Sequence, residues 1–458
     1  MAGLHQIAPE FSLSGGRYRA YTARHLDELT ARAGLNASER LAVRAVATVL
    51  PFRTNEYVVD WLIDWDAAPD DPIYRLIFPQ PDMLPRTDVS RIGSLLARQA
   101  PEAEVRQAAH AVRTRLNPHP AGQLAFNIPD LADEPLPGVQ HKYAETVLVF
   151  PRQGQTCHAY CTYCFRWAQF VDEPDLKMAT SDMARITAYL RQHPEVTSVL
   201  ITGGDPMIMG APVLRRYIEP LLDPRLRHIE SIRIGTKSLG YWPLRFVTDP
   251  DADETLRLFE DVVAADKNLA VMAHFSHPRE LEPSPVAEAV RRIKSTGAVI
   301  RTQAPLIRSI NDDPGIWAGM WRAQIRMGMV PYYMFVERDT GPQGYFAVPL
   351  ARGHQIFRDA YASVSGLCRT VRGPSMSATP GKVCIDGVVE VAGEKVFALH
   401  MIQARNPDLV GKPFFARFDP DAIWLSDLEP AFAPRFPFDS DPEELPGLWG
   451  PEVLAALS

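Results

Sequence analysis

The chain has 458 residues, of which 46% are hydrophobic and 22% charged, and its formal net charge is −7. This composition is typical of a globular protein with a sizeable core, and it lacks the basic excess that would indicate a nucleic-acid partner. No apolar signal segment begins the sequence and no run of about 18 uncharged apolar residues follows, so we expect a cytoplasmic protein without a membrane partner.

Residues 1–140 are predicted to form a mainly helical region interrupted by turns rich in proline and aspartate. Asn36 stands just before an apolar stretch and indicates a helix start. Apolar residues recur at helical spacing in 88–98 and 102–116, which predicts two further helices.

From about residue 141 the pattern changes to six alternations of a short apolar strand and a helix. The strands are predicted at 146–150, 198–202, 231–235, 269–275, 299–302 and 330–336. Six such units indicate an α/β fold, and because eight would close a full barrel, we expect a partial (βα)6 TIM-type barrel over 141–372. Residues 373–458 would form a C-terminal extension. The many aromatic residues of its tail, 394–458, indicate packing over the barrel or against a partner subunit.

Three of the five cysteines fall within eight positions of the loop after the first predicted strand, at Cys157, Cys161 and Cys164. Three clustered thiolates suit a thiophilic metal centre, and on a four-iron cluster they would leave one iron open. Spacing alone leaves two simpler interpretations, namely buried free thiols and a structural zinc site with His158 as the fourth ligand. Cys368 and Cys384 follow no spacing pattern.

Polar residues also follow the next three predicted strands, where active sites of parallel sheets lie. The sequence Gly-Gly-Asp-Pro at 203–206 would let a ligand approach the backbone, and Asp205 would offer an acceptor to a cationic group. Residues 232–237 and 274–278 end the third and fourth strands with polar groups. In isolation, the glycine run is more often a tight turn and the histidines are more often structural.

The cysteine spacing, with Tyr163 just before the last cysteine, resembles the signature of radical S-adenosylmethionine (SAM) enzymes, in which SAM chelates the open iron of a 4Fe-4S cluster. A narrower resemblance, to the lysine 2,3-aminomutase family, covers most of residues 55–385. It rests on matches at 157–170, 203–206, 233–236, 274–278, 303–312 and 331–333.

This resemblance implies three cofactors: the 4Fe-4S cluster, SAM and pyridoxal 5′-phosphate (PLP). It places SAM against Tyr163, Gly203, Gly204, Asp205, Thr236 and His277. It places PLP against Lys142, Tyr143 and Gln303, with Lys382 as the catalytic lysine that bonds the PLP aldehyde. Residues 377–381 depart from the nearly all-glycine run of the family, and without the resemblance Lys382 would be taken for a surface lysine beside a turn.

Substrate choice is predicted from charge. The resemblance assigns Arg166 to the substrate α-carboxylate, and it places Arg338 and Ser375 where lysine-specific members carry aspartates. A buried arginine facing a lysine ammonium would cost several kcal/mol, so we expect lysine not to be preferred and glutamate or a polar amino acid to fit better. Acidic residues flank Arg338 at 337 and 339, so a shift of one residue in the match to the family would place an acid at this position. The zinc-binding cysteines of lysine aminomutases are absent, so no zinc is expected.

The sequence therefore predicts an amino acid 2,3-aminomutase that moves an α-amino group to the β carbon by means of a 5′-deoxyadenosyl radical. Its expected partners are the amino acid substrate, an electron donor such as flavodoxin or ferredoxin, and further copies of itself in a homo-oligomer. Two other classes stay open. One is a PLP-independent radical SAM enzyme, such as an epimerase or a protein-lysine-modifying enzyme, and the other is a zinc-binding interaction protein.

Overall fold

The computed structural model describes residues 18–124, 126–171 and 177–439. The strands are β1 Ala20–Thr22, β2 Arg53–Asn55, β3 Asp130–Leu131, β4 Glu134–Pro135, β5 Val139–Tyr143, β6 Thr146–Val149, β7 Ser198–Ile201, β8 Ser231–Thr236, β9 Asn268–His274, β10 Val299–Leu306, β11 Val330–Val336, β12 Arg372–Ser377, β13 Gly381–Val391, β14 Glu394–Ala404 and β15 Pro413–Arg417. The helices are α1 Leu26–Arg32, α2 Ala37–Val49, α3 Pro72–Ile77, α4 Arg86–Ala97, α5 Glu102–Arg113, α6 Met183–Gln192, α7 Ala211–Ile218, α8 Ser238–Tyr241, α9 Ala252–Ala264, α10 Ser284–Ser295, α11 Pro314–Arg326, α12 Gln343–Phe346 and α13 Leu350–Ala362.

One large mixed sheet organises the molecule. It contains β5 to β15 in sequence order, and the pairings from β6 through β12 are all parallel. Antiparallel strands flank this parallel part, with β5 on one side and β13, β14 and β15 on the other. The six predicted strand and helix alternations are present within a mixed α/β fold. The sheet is nevertheless larger and more mixed than the six-stranded one predicted, because β5 and the strands after β11 extend it.

The parallel strands form because their apolar side chains are buried between the sheet and its helices. Val199 and Ile201 of β7 and Ile232 and Ile234 of β8 are fully buried in the largest apolar core, together with Ile186 of α6 and other helix residues. Strands covered on both faces are typical of parallel sheets. This packing fixes the ends of the strands, and therefore the positions of the loops that follow them.

The N-terminal helices form a second core that holds the cysteine loop. Asn36 accepts hydrogen bonds from the backbone of Ser38 and Glu39, so the predicted helix start is confirmed at α2. In the cysteine loop, Tyr160 N donates to Arg53 O at 2.8 Å and Thr162 N donates to Leu76 O at 2.8 Å. The backbone of this loop is thereby fixed by the helical region and not by the sheet alone.

The C-terminal part continues the sheet. β12 crosses the predicted boundary at 372/373 and pairs in parallel with β11. The β13 and β14 hairpin and β15 then enclose a separate apolar core that includes Phe414 and Trp424. The predicted division into 1–140, 141–372 and 373–458 stays a prediction, and residues 440–458 lie outside the described residues. Among the described helices, none combines the length and apolar character needed to span a bilayer.

A buried arginine ties the loop after β7 to helix α9. Arg245 Nε donates to Met207 O at 2.9 Å, and its other nitrogens bond Met209 O, Asp251 and Thr255. Its side chain is only 3% exposed, so water could not readily supply the hydrogen bonds that these partners would lose without Arg245. The Gly-Gly-Asp-Pro loop that precedes Met207 depends on this contact for its position.

We expect Arg245→Met to lower the free energy of unfolding by about 3 kcal/mol, because it leaves buried acceptors and a carboxylate unpaired. The control is Arg215→Met, which removes a surface pair with Asp261 and should cost less than about 1 kcal/mol. Urea unfolding followed by circular dichroism would measure both. Equal losses in the two variants would contradict the role assigned to Arg245.

Candidate active site

One cavity of about 300 Å³ lies at the carboxyl ends of the parallel strands. It is lined by the cysteine loop and by residues of, or directly after, β7, β8, β9, β10, β11, β12 and β13. Most predicted site residues meet there: Cys157, Cys161, Cys164, Tyr163, Arg166, Gly203, Gly204, Asp205, Thr236, Gln303, Arg338 and Lys382. Four predicted residues are outside this lining: Lys142, Tyr143, His277 and Ser375.

The three clustered cysteines are free and partly accessible from the cavity. Burial raises the pKa of the Cys164 thiol to about 12 and raises the pKa of Cys157 and Cys161 as well. Tyr241 lies beside Cys161, with its hydroxyl oxygen 3.6 Å from the sulfur. Burial therefore favours the protonated form of these thiols, and a metal centre would have to displace their protons.

The three thiols are spaced too widely for one ion. A tetrahedral zinc holds its sulfur ligands about 3.8 Å apart, since each Zn–S bond is about 2.3 Å. Within residues 18–124, 126–171 and 177–439, a group of three ligand atoms lying within 4.8 Å of one another occurs elsewhere and does not include these cysteines. His158 is buried and its Nδ1 lies 3.0 Å from Ser238 Oγ, so it is engaged away from the thiols. The arrangement of the three thiols therefore does not match a structural zinc site.

The glycine run packs directly on the cysteine loop. Gly203 has φ +141°, a backbone conformation that favours glycine. A side chain at Gly204 would place its Cβ 2.4 Å from Thr156 O, and Asp205 N donates to the same oxygen at 2.7 Å. The two loops that carry the predicted cluster and SAM contacts are therefore held together backbone to backbone.

Asp205 is engaged within the protein. Its buried carboxylate accepts hydrogen bonds from Met207 N, Thr236 Oγ1, Lys237 N and Ser238 Oγ. Burial raises the pKa of this carboxyl, although these donors oppose the shift. The group positions Thr236 and joins the loops after β7 and β8. The predicted contact with a ligand ammonium stays a prediction, and it would have to compete with four donors.

His274, and not His277, faces the cavity. His274 Nε2 lies 2.8 Å from the hydroxyl of Tyr163, which is also 2.9 Å from Ser276 Oγ. His277 instead accepts a hydrogen bond from Arg279 N and caps a short helix, and burial lowers its pKa to about 4. The sequence pattern made both histidines candidates for the site. Only the position of β9 places His274, and not His277, in the cavity.

Lys382 begins β13 and projects into the cavity. Its Nζ lies 3.3 Å from Gln403 Oε1 and 4.2 Å from the centre of the Tyr333 ring. Burial, together with Arg372, Arg233 and Arg338, lowers the pKa of Lys382 to about 7. Its accessible surface faces the cavity and not bulk solvent, so it is not the surface lysine that the local sequence indicates. An amine that is partly unprotonated at neutral pH can act as a nucleophile towards an aldehyde.

Three buried arginines line the same cavity. Arg166 donates to Thr202 Oγ1 at 2.7 Å and to Gly203 O at 2.8 Å. The nearest carboxylate oxygen to Arg338, from Asp339, is 3.9 Å from its Nε. The Nε atoms of Arg166, Arg233 and Arg338 have no hydrogen-bond partner in the part of the chain that the structure describes. Guanidinium groups in this state suit anionic ligands such as carboxylates and phosphates.

The remaining predicted contacts lie around this group. Lys142 donates to the carbonyl of Ala378, and burial lowers its pKa well below the usual value, with Arg405 and Arg338 adding to the effect. Burial raises the pKa of Tyr143 to about 12. Ser375 is fully buried in β12 and does not line the cavity, whereas Ser377, two residues further on the strand, does.

Several lining residues received no role from the sequence. They are Arg233, His274, Tyr333, Glu337 and Ser377. Arg233 carried a local signal as a charged residue between apolar neighbours in a predicted strand, and His274 carried one as a polar residue at the end of the fourth predicted strand. A larger cavity of about 620 Å³ occurs among residues 413–439, but proline and phenylalanine side chains line most of it.

Comparison with known proteins gives related sequences. No protein-family model matches the chain. A protein from Aquifex aeolicus that carries the provisional name L-lysine 2,3-aminomutase is 30% identical over 392 residues, which cover 85% of this chain and 90% of that relative. The L-lysine 2,3-aminomutase of Clostridium subterminale is 26% identical over 60% of this chain and 62% of its own length. That of Escherichia coli is 24% identical over 55% of this chain and 69% of its own length.

Solved structures show a weaker similarity. A radical SAM methyltransferase from Sphaerobacter thermophilus superposes with a TM-score of 0.35 and 15% identity, covering 63% of this chain and 93% of that one. SuiB from Streptococcus suis gives a TM-score of 0.34 and 12% identity, covering 59% of this chain and 56% of that one.

We expect Lys382 in the PLP-free chain to titrate near pH 7, below the usual lysine value of about 10.4. Its reactivity towards acetic anhydride should fall as the pH drops through 7, because protonation removes the nucleophilic electron pair. Competitive labelling followed by peptide mass spectrometry would measure this, with the exposed Lys395 on β14 as the reference peptide. Reactivity at Lys382 that still climbs above pH 9 would contradict the lowered pKa.

Proposed function

The chain belongs to the lysine 2,3-aminomutase family of radical SAM enzymes, and we propose that it is a PLP-dependent amino acid 2,3-aminomutase whose substrate is not lysine. One observation carries this proposal: the same cavity is lined by the three clustered cysteines and by Lys382, whose pKa is lowered to about 7. A radical-generating centre and an aldehyde-bonding amine in one enclosed space are what such a reaction requires.

Family membership implies a 4Fe-4S cluster and SAM, and the residues present fit both. Cys157, Cys161 and Cys164 would supply three thiolates to the cluster. The backbone of Gly203 and Gly204 would border the SAM site next to them, and Thr236 would face it from β8. The chemistry also requires a one-electron donor, for which we propose flavodoxin or ferredoxin.

The residues around Lys382 fit PLP. The cofactor would supply an aldehyde for an amine and a conjugated ring that delocalises an unpaired electron. Lys382 offers the amine, and Tyr333 offers an aromatic face beside it. The guanidinium groups of Arg233, Arg372 and Arg405 surround this end of the site and suit a phosphate. Lys142 donates to the carbonyl of Ala378 beside them, and its amine would be a further hydrogen-bond donor to the phosphate.

The curvature of the sheet would exclude water from the reaction. Strands pair about 4.8 Å apart, so seven strands lying flat would spread over about 29 Å. A single cavity of about 300 Å³ nevertheless contacts every strand position from β7 to β13. This supports the proposal that the parallel part curves into a partial barrel. Such enclosure protects reactive species from solvent.

The substrate is proposed to be glutamate or another amino acid with a polar or acidic side chain. Arg166 would orient the α-carboxylate through donors that are not used by Thr202 and Gly203. Arg338 lies in the same lining with a guanidinium that lacks a close carboxylate partner. Glu337 also lines the cavity, but burial raises the pKa of its carboxyl well above the usual range, which weakens it as a counter-charge for a lysine ammonium. The charge at this end therefore favours an anionic or neutral side chain.

The PLP assignment can be tested by reduction. Anaerobically reconstituted protein incubated with PLP and then treated with borohydride should carry a pyridoxyl group on Lys382, identified by peptide mapping. Lys382→Arg should abolish both the label and amino group migration, while cluster absorbance stays unchanged. If wild-type protein bound no pyridoxyl group and still cleaved SAM, a PLP-independent radical SAM reaction would replace this proposal.

Charge reversal at Arg338 tests substrate choice. Arg338→Glu should shift the ratio of kcat/KM for lysine over glutamate by about 100-fold towards lysine, because it replaces repulsion of the ammonium by attraction. Arg352→Glu, at an exposed position of α13, makes the same change in net charge and should leave the ratio unchanged. The measurement is β-amino acid formation by mass spectrometry with a panel of amino acids. Wild-type protein that converts lysine far better than glutamate would refute the charge argument.

A further inference from the structure

Three potential metal ligands meet on the hairpin that carries Lys382. They are the thiol of Cys384 and the carboxylate of Asp386 on β13, and the imidazole of His400 on β14. One ligand atom of each lies within 4.8 Å of the other two. We propose that these three residues form a binding site for a divalent transition metal, with Zn²⁺ as the best match.

The strand pairing brings these residues together. Cys384 and His400 are direct neighbours across the antiparallel ladder, and Asp386 stands two residues further along β13. His400 Nδ1 lies 2.8 Å from one oxygen of Asp386 and 2.9 Å from the other. A zinc ion bound to nitrogen and oxygen at about 2.0 Å each needs these atoms about 3.3 Å apart, so a small side-chain movement would admit it.

The ligand types favour zinc over the hard cations. Thiolate and imidazole together select zinc and similar metals, whereas Mg²⁺ and Ca²⁺ take oxygen ligands. Asp386 is exposed and His400 is partly exposed, so an ion can enter from solvent and keep a water as its fourth ligand. His354 of α13 lies against the backbone of Asp386 and Gly387 and is a further nitrogen close to the site.

The site would act on the hairpin that positions Lys382. Lys382 pairs with Gln403 across the same two strands, two residues before Cys384 on β13 and three after His400 on β14. Their side chains are also in contact, with Lys382 Nζ 3.3 Å from Gln403 Oε1. A metal bridging β13 and β14 would therefore fix the two strands that hold the amine in the cavity. This role is structural and does not depend on the proposed reaction.

A plain surface ion pair between His400 and Asp386 is the competing explanation. It would account for their short contact but would need neither a thiol nor a metal. The two explanations differ in zinc stoichiometry and in the effect of Cys384, so both can be measured directly.

Zinc content is best measured in the full chain with its iron-sulfur cluster reconstituted. After equilibrium dialysis against Zn²⁺, we expect about one tightly bound zinc per chain in addition to iron. Asp386→Asn and His400→Ala should weaken zinc binding at least 100-fold, since loss of even an outer-sphere partner costs about 10- to 100-fold. The matched control is Glu390→Gln on the exposed end of β13, which should leave binding unchanged.

A second set of variants separates this site from the cluster cysteines. A triple variant should lose iron but retain the zinc; its substitutions are Cys157→Ala, Cys161→Ala and Cys164→Ala. When Co²⁺ replaces the zinc, it should show a thiolate charge-transfer band, and Cys384→Ser should remove that band. Cys368→Ala, another buried free cysteine, should leave that band unchanged. Removal of zinc should also speed hydrogen exchange in residues 381–404.

Two results would overturn the proposal. One is the absence of bound zinc in wild-type protein at micromolar concentration. The other is zinc that disappears with the three cluster cysteines but survives Asp386→Asn and Cys384→Ser. Because Asp386 is exposed, Asp386→Asn should fold normally, so loss of binding in this variant would not come from unfolding.

Discussion

The parallel direction of the strands from β6 to β12 is the constraint on which the site depends. Parallel strands deliver all their carboxyl ends to one edge of a sheet, so every following loop opens on the same space. Cys157, Gly204, Thr236 and Gln303 come from four different parts of the sequence and reach one cavity for this reason. An antiparallel arrangement of the same strands would send every second loop to the opposite edge.

Two kinds of electrostatic environment occur within this cavity. Near the cysteines, Asp205 accepts four hydrogen bonds, so the loops after β7 and β8 are fixed by the protein itself. Near Lys382, the buried Nε atoms of Arg233 and Arg338 lack partners within the described residues. The loops near the cysteines are thus held by hydrogen bonds within the protein, whereas the guanidinium groups near Lys382 keep donors that suit the proposed anionic ligands.

The sequence was most informative where its signals are local. The cysteine spacing, the glycine run after β7 and the helix start at Asn36 each involve few residues, and the structure places them as expected; the similarity to lysine 2,3-aminomutases is confirmed by the relatives. Apolar strand patterns also located β6 to β11, although β10 runs four residues further than predicted, to Leu306, and carries Gln303 to the cavity in that extension.

What the sequence could not provide depends on register and on distant pairing. His274 is the last residue of β9, and His277 lies three residues beyond it. Apolar periodicity does not locate the end of a strand closely enough to distinguish the two positions. β12 begins with Arg-Gly-Pro, which indicates a loop in isolation, yet its pairing with β11 makes it a strand. The cluster of Cys384, Asp386 and His400 exists only because β14 folds back on β13, so no spacing pattern within one segment contains it.

The close grouping of Arg166, Arg233 and Arg338, whose Nε atoms lack partners within the described residues, has a consequence for the stability of the protein in a cell. Buried like charges that face one another oppose folding, so a chain without its anionic ligands starts with less stability to lose. Ligands that bind only the folded form return that stability in proportion to their concentration. If the proposed PLP binds there, the folded fraction of the protein would rise with the PLP concentration.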